Sequence, residues 1–158
     1  MTKTIFGTLS DTYNGSLSAS SPTWDRSFGA TYDASCNLAM TDSSNNGQYY
    51  EVIPIEVSAT ENLECEVTSF GGDSTLHVFC DPFNPLAPLD NVLAYDDDGG
   101  VSPLSAFSAA DGVELQPGNT YYVVLSTFSP GVTGDFTIDF TSATVVVVPV
   151  ELQSFSIE

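Results

Sequence analysis

Asp135-Phe136-Thr137-Ile138-Asp139-Phe140 sets a large apolar side chain at every second position, with an acid or a threonine between. Successive side chains on a strand point to opposite faces, so Phe136, Ile138 and Phe140 share one face and Asp135, Thr137 and Asp139 the other. The same design recurs elsewhere in the chain. In Leu63–Thr68, Leu63, Cys65 and Val67 alternate with Glu64, Glu66 and Thr68. In Gln48–Ser58, Ile53, Ile55 and Val57 fall together, with Glu56 opposite. Thr75–Cys80 places Leu76, Val78 and Cys80 on one side, and Tyr121–Phe128 repeats the pattern. Apolar-in, polar-out alternation suits antiparallel sheets with one wet face. Gly71-Gly72-Asp73-Ser74, Asp98-Gly99-Gly100 and Pro117-Gly118-Asn119 supply turns between these runs, with no helical spacing anywhere between them. The expected fold is therefore all-β, an antiparallel β-sandwich of jelly-roll or immunoglobulin-like two-sheet architecture. Ser18–Ser35 and Thr41–Gly47 are looser, the latter reading as a polar surface loop.

A chain of 158 residues holds one core comfortably. Residues 1–142 are expected to form that single domain, and 143–158 a final strand or an exit linker. Lys3 and Arg26 are the only strong cations against 21 carboxylates, for a formal net charge of -19. Nucleic acid is excluded as a partner, because phosphates must be neutralised by cations. An anionic membrane surface repels such a chain, and no run approaches the ~20 apolar residues of a membrane-spanning helix. Met1–Tyr13 lacks the apolar core of a signal peptide, so secretion is expected from class alone.

The acids suggest a hard cation. Calcium takes about six to eight oxygens, and Asp96, Asp97 and Asp98 offer three carboxylates beside two glycines that let the backbone turn. Asp73 is a fourth candidate ligand, with Asp81 and Asp90 in neighbouring turns. The spacing is not that of an EF-hand, and Asp-Gly is also an ordinary solvated turn. The cysteines are odd in number. If Gly71–Ser74 form a four-residue hairpin loop, Phe70 faces Thr75 and Cys65 faces Cys80, both inward, which favours a Cys65–Cys80 bridge. Cys36 paired with either of the two is the competing arrangement.

Catalysis finds no constellation. His77 is the only histidine, expected as a surface or inter-sheet side chain; no Gly-x-Ser-x-Gly elbow presents a nucleophile, and three scattered cysteines do not make a zinc site. No enzyme is expected. Trp24, beside Asp25 and Arg26, is the candidate platform for stacking a ligand, its competing role being to plug one end of the sandwich. Thr144–Val150, β-branched and uncharged, has the character of a strand donated to a neighbour's sheet, or of this domain's own last strand.

Several pieces together resemble the bacterial pre-peptidase C-terminal (PPC) type of domain. They are Tyr49-Tyr50 entering a strand, Asp73 before Thr75-Leu76-His77-Val78-Phe79, and Phe83-Asn84-Pro85 followed by Pro88-Leu89-Asp90-Asn91. The acidic turn Asp96–Gly100, then Leu115-Gln116-Pro117-Gly118-Asn119-Thr120-Tyr121-Tyr122 and Gly134-Asp135-Phe136, complete the likeness. Pro22-Thr23-Trp24-Asp25-Arg26 and the closing Val148–Phe155 are similar to the opening and the exit junction of surface-protein relatives. The resemblance implies a β-sandwich appended to secreted or surface proteins, sometimes binding calcium, with no catalytic residues; cysteines are not a general feature of that family. The expected function is a non-catalytic extracellular or cell-surface accessory or binding module, stabilised by calcium, whose partners are neighbouring domains of the same polypeptide. The alternative is a structural subunit that assembles with like subunits through its terminal strand.

Overall fold

The computed structural model describes residues 11–43 and 46–148. In chain order its strands are β1 (Asp11–Leu17), β2 (Thr23–Trp24), β3 (Ser27–Gly29), β4 (Met40–Asp42), β5 (Gln48–Glu56), β6 (Glu61–Asn62) and β7 (Cys65–Phe70). They continue as β8 (Ser74–Cys80), β9 (Val92–Asp96), β10 (Ala106–Phe107), β11 (Glu114–Leu115), β12 (Tyr121–Thr127), β13 (Gly134–Phe140) and β14 (Val146–Val147). One sheet runs β1-β13-β7-β10. The other runs β14-β5-β12-β8-β9, with β2 also paired to β5. The pairs β6–β11 and β3–β4 form two small ribbons. Neighbours are antiparallel throughout the two main sheets, which makes an antiparallel β-sandwich.

The alternation in residues 135–140 holds as expected. Phe136, Ile138 and Phe140 of β13 are no more than 2% exposed, packed with Val67 of β7 and with Ile53, Leu76, Val78 and Val123 of the facing sheet. This inter-sheet layer is the main core. Gly15 of β1 lies opposite Phe136, and a Cβ there would meet the Phe136 ring at 2.3 Å, so the glycine admits the ring.

The larger sheet has no wet face at its centre. Trp24, Leu38 and Phe83 cover its outer side and pack on Tyr50, Phe79, Val92, Tyr95 and Val124. Every residue of β8 but Cys80 is buried. His77 therefore lies neither on the surface nor between the sheets, but under this outer layer at 0% exposure. A strand covered on both faces reads as a continuous apolar run, and Leu76-His77-Val78-Phe79 departs from that only at the histidine.

Two expectations fail here. Gly71–Asp73 is not a hairpin loop, because β7 and β8 belong to different sheets. Its chain crosses the sandwich, so no cross-strand register links Cys65 to Cys80. Cys65 instead pairs with Phe140 and Phe107 inside the first sheet and is a free, buried thiol. Cys80 is bonded to Cys36, with Cα atoms 6.0 Å apart. Cys36 reaches it from a turn closed by its own N–H to the Asp33 carbonyl, in left-handed backbone at φ 57°.

The first part of the tail is a final strand rather than a linker. Val145 is 1% exposed, Val146 and Val147 pair with Glu56 and Ile55, and the Val148 N–H bonds the Pro54 carbonyl at 2.8 Å. Thr144 bonds Glu61 through both its N–H and its hydroxyl. Most of the junction-like segment Val148–Phe155 and the end of Thr144–Val150 lie outside the described residues, as do Ser44 and Asn45 of the polar loop. Among the described residues no helix is long and apolar enough to cross a membrane.

Candidate functional site

Antiparallel pairing of β8 with β9 decides which acids meet. Leu76 pairs with Asp96, so the end of β9 lies beside the start of β8, and Asp97 and Asp98 arrive next to Asp73. One carboxylate oxygen from each of Asp73, Asp97 and Asp98 lies within 4.8 Å of the others. Asp81 and Asp90 sit at the far end of the same strand pair and take no part. Three of the four acids expected as metal ligands therefore converge.

Asp96 is the exception, for a local reason. Its Oδ2 accepts the N–H of Gly99 at 2.8 Å and of Ala106 at 3.0 Å. That carboxylate closes the acidic turn from within. A Cβ on Gly99 would come within 2.8 Å of the same carboxylate oxygens and 2.7 Å of the Ala106 carbonyl, which is why glycine follows the aspartates. Ser105 pins the turn to β8. Its hydroxyl lies 2.6 Å from the Ser74 carbonyl and 2.7 Å from that of Asp97, and its N–H bonds Ser74 Oγ at 2.9 Å.

The electrostatics follow from the crowding. Burial first, then the charges of Asp73 and Asp98, push the Asp97 carboxyl up to about 6, against the opposing pull of Arg26. Asp73 is raised by burial and by Asp98, again opposed by Arg26. Oδ1 of Asp73 and Oδ1 of Asp97 are buried with no hydrogen-bond partner. Unpaired buried acceptors among like charges favour whatever binds them, a proton or a cation. An all-oxygen cluster of hard carboxylates suits calcium better than a softer metal.

Arg26, the only Lys or Arg among the described residues, is near enough to Asp73 and Asp97 for its charge to act on both. It sits between β2 and β3 at 3% exposure. Its Nε and Nη2 donate to the Phe128 carbonyl at 3.2 and 3.0 Å, and its guanidinium lies 4.7 Å from the centre of the Phe128 ring. Nη1 has no acceptor. Burial and Asp97 push the Tyr95 hydroxyl up to about 12, and the charge of Arg26 and a side-chain hydrogen bond with it oppose that rise.

Trp24 is corrected. At 3% exposure, with Nε1 donating to Ser126 Oγ at 2.9 Å, it cannot stack a ligand. Its ring meets those of His77 (4.9 Å), Tyr50 (5.4 Å) and Phe79 (6.1 Å), which makes it the centre of the outer layer. The aromatic rings that do reach solvent at this end are Phe28 and Phe128, 44% and 42% exposed. Neither stands out in the sequence; the nearest signal is the pairing of Trp24 with the lone Arg26.

Comparison with protein-family models, with curated proteins and with solved structures finds no match to this chain.

Proposed function

We propose that this chain is a non-catalytic β-sandwich module of a larger secreted or surface protein, working outside the cytoplasm. Asp73, Asp97 and Asp98 hold a calcium ion that ties the β7–β8 connection to the end of β9. The observation that carries this reading is the convergence of those carboxylates with two of their oxygens buried and unpartnered. The Cys36–Cys80 bridge suits an oxidising compartment. The sole histidine is sealed in the outer layer, and burial pushes the Cys65 thiol up to about 12, so neither serves as a base or nucleophile at the surface. Residues 145–148 are already taken up in this chain's own sheet, which favours an accessory module over a subunit that donates that strand.

Thermal unfolding in chelator and in calcium tests the ion. A ligand bound only by the folded state at 100 times its Kd adds about 2.7 kcal/mol, or roughly 5–10 °C in Tm for a domain of this size. Magnesium, which needs tighter octahedral geometry, should do less. An unchanged Tm in saturating calcium removes the ion from the reading.

A further inference from the structure

Beside the acidic cluster lies an open cavity of about 410 Å³, lined by Arg26, Phe28, Ser43, Tyr95, Asp97 and Phe128. Its size is that of a small-molecule site. Its lining is unusual for this molecule. It brings the one described guanidinium, nearly all buried and with Nη1 unsatisfied, to the same cavity as a carboxylate and two half-exposed phenyl rings. A buried charged donor without an acceptor costs the free protein stability, so such a group calls for an explanation.

Each class of ligand meets this lining differently. A small anion would suit Arg26, but it would face Asp97 and a chain carrying a net charge of -19. A cation in the cavity itself, which Asp97 lines and the other two acids do not, would meet the Arg26 guanidinium and any ion already held by Asp73, Asp97 and Asp98. A neutral ligand rich in hydroxyls uses both, since each hydroxyl can donate to Asp97 and accept from Arg26. The Phe28 and Phe128 rings offer flat apolar surface for the C–H face of a sugar ring. We infer that this cavity is a binding site for a neutral saccharide, held between Arg26 and Asp97 by its hydroxyls and against Phe28 and Phe128 by its apolar face. The inference deepens the binding-module reading and rests on it, but it does not require the ion.

Native gel electrophoresis of the whole chain through dissolved polysaccharides tests it. The probes are β-glucan, xylan and galactomannan as neutral polymers and polygalacturonate as the anionic one, each run in calcium and in chelator. At least one neutral polymer should retard the chain. Phe28→Ala should weaken that binding tenfold or more while leaving the near-ultraviolet signal of the buried Trp24 unchanged, and Phe28→Ala/Phe128→Ala should weaken it further. Arg26→Gln should abolish it if that variant folds; the phenylalanine variants decide the matter if it does not. No retardation by any neutral polymer, preference for polygalacturonate, or parental binding by the double phenylalanine variant overturns the inference. Calcium-dependent melting without retardation sinks the saccharide site alone. Retardation without calcium-dependent melting removes only the ion.

Discussion

Protonation of His77 tests whether the larger sheet is covered on both faces. The ring is fully buried, 4.8 Å from that of Tyr95 and 4.9 Å from that of Trp24. Nε2 lies 2.9 Å from the Ser27 carbonyl, so the neutral ring donates there, while Nδ1 has no partner. Burial lowers its pKa from 6.5 to about 3, with the Ser27 bond opposing and Arg26 assisting. Between those values the unfolded chain holds the extra proton, so stability must fall as pH drops from 6.5 towards 3. Each pH unit inside that window costs about 1.4 kcal/mol, so the step from about pH 6 to pH 4 costs roughly 2–3 kcal/mol. That is a large share of the ~5–15 kcal/mol that holds a domain folded. Asp97, Asp73 and Asp96 run the opposite way, because their folded pKa values are raised and stability returns as they protonate. The measurement is therefore a difference: urea unfolding of the parent and of His77→Gln at about pH 6.5, 6, 5 and 4. The parent should lose about 2–3 kcal/mol relative to the variant between about pH 6 and pH 4. A difference flat to within about 0.5 kcal/mol would mean that His77 meets water and that the layer of Trp24 and Leu38 does not seal it.

Three further outcomes follow from particular contacts. In chelator at about pH 7, Asp97→Asn relieves the crowding on a partly exposed carboxylate, which after screening is worth on the order of 1 kcal/mol and a Tm rise of ~2–4 °C. In calcium the same variant should melt below the parent, so failure of the sign to invert refutes the shared ion. Cys36→Ser/Cys80→Ser opens a crosslink of sequence separation 44, worth about 4 kcal/mol in the chain-entropy limit and read by urea unfolding. In that protein Cys65 should stay inert to a thiol reagent until the fold opens, and rapid labelling would contradict its burial. Gly15→Ala drives a methyl into the Phe136 ring and should cost about 1–3 kcal/mol by the same unfolding measurement.

Period-two spacing makes the sandwich legible, because burial on one face leaves a mark at every second residue. Phe136, Ile138, Phe140, Leu76 and Val78 all point where that spacing puts them. The same spacing is blind to what covers the other face. Nothing local in residues 75–79 tells that Trp24, some fifty positions earlier, will close over them, so the sequence offers His77 as a surface or inter-sheet side chain and Trp24 as a stacking platform or an end plug, when both are sealed in an outer layer. Nor does alternation say whether a Gly-Gly-Asp turn folds back within one sheet or crosses to the next, and the Cys65–Cys80 pairing hangs on that ambiguity alone. Asp73, Asp97 and Asp98 are legible as acids near turns. Their meeting depends on strand pairing, and the exclusion of Asp96 on two backbone N–H groups that only the folded turn supplies.

The directions of three strands give the two ends of the molecule opposite characters. β8 begins where β9 and β12 end, so Asp73, Asp97, Asp98 and Phe128 are gathered at one end. About 20 Å along β8, at its other end, Cys80 is fastened covalently to Cys36. The far end is thus closed by a bond that needs nothing from solution. The near end holds crowded carboxylates, a guanidinium nitrogen without an acceptor and two exposed rings, so a ligand that paired with them would lower its free energy. A protein selected for stability alone would have filled that end with apolar side chains, as it has filled the layer around Trp24 a few residues away. Polar groups left unsatisfied beside a well-packed layer are the groups that the proposed cation and the proposed saccharide hydroxyls would complete, so the calcium and polysaccharide experiments both address this one end of the sandwich.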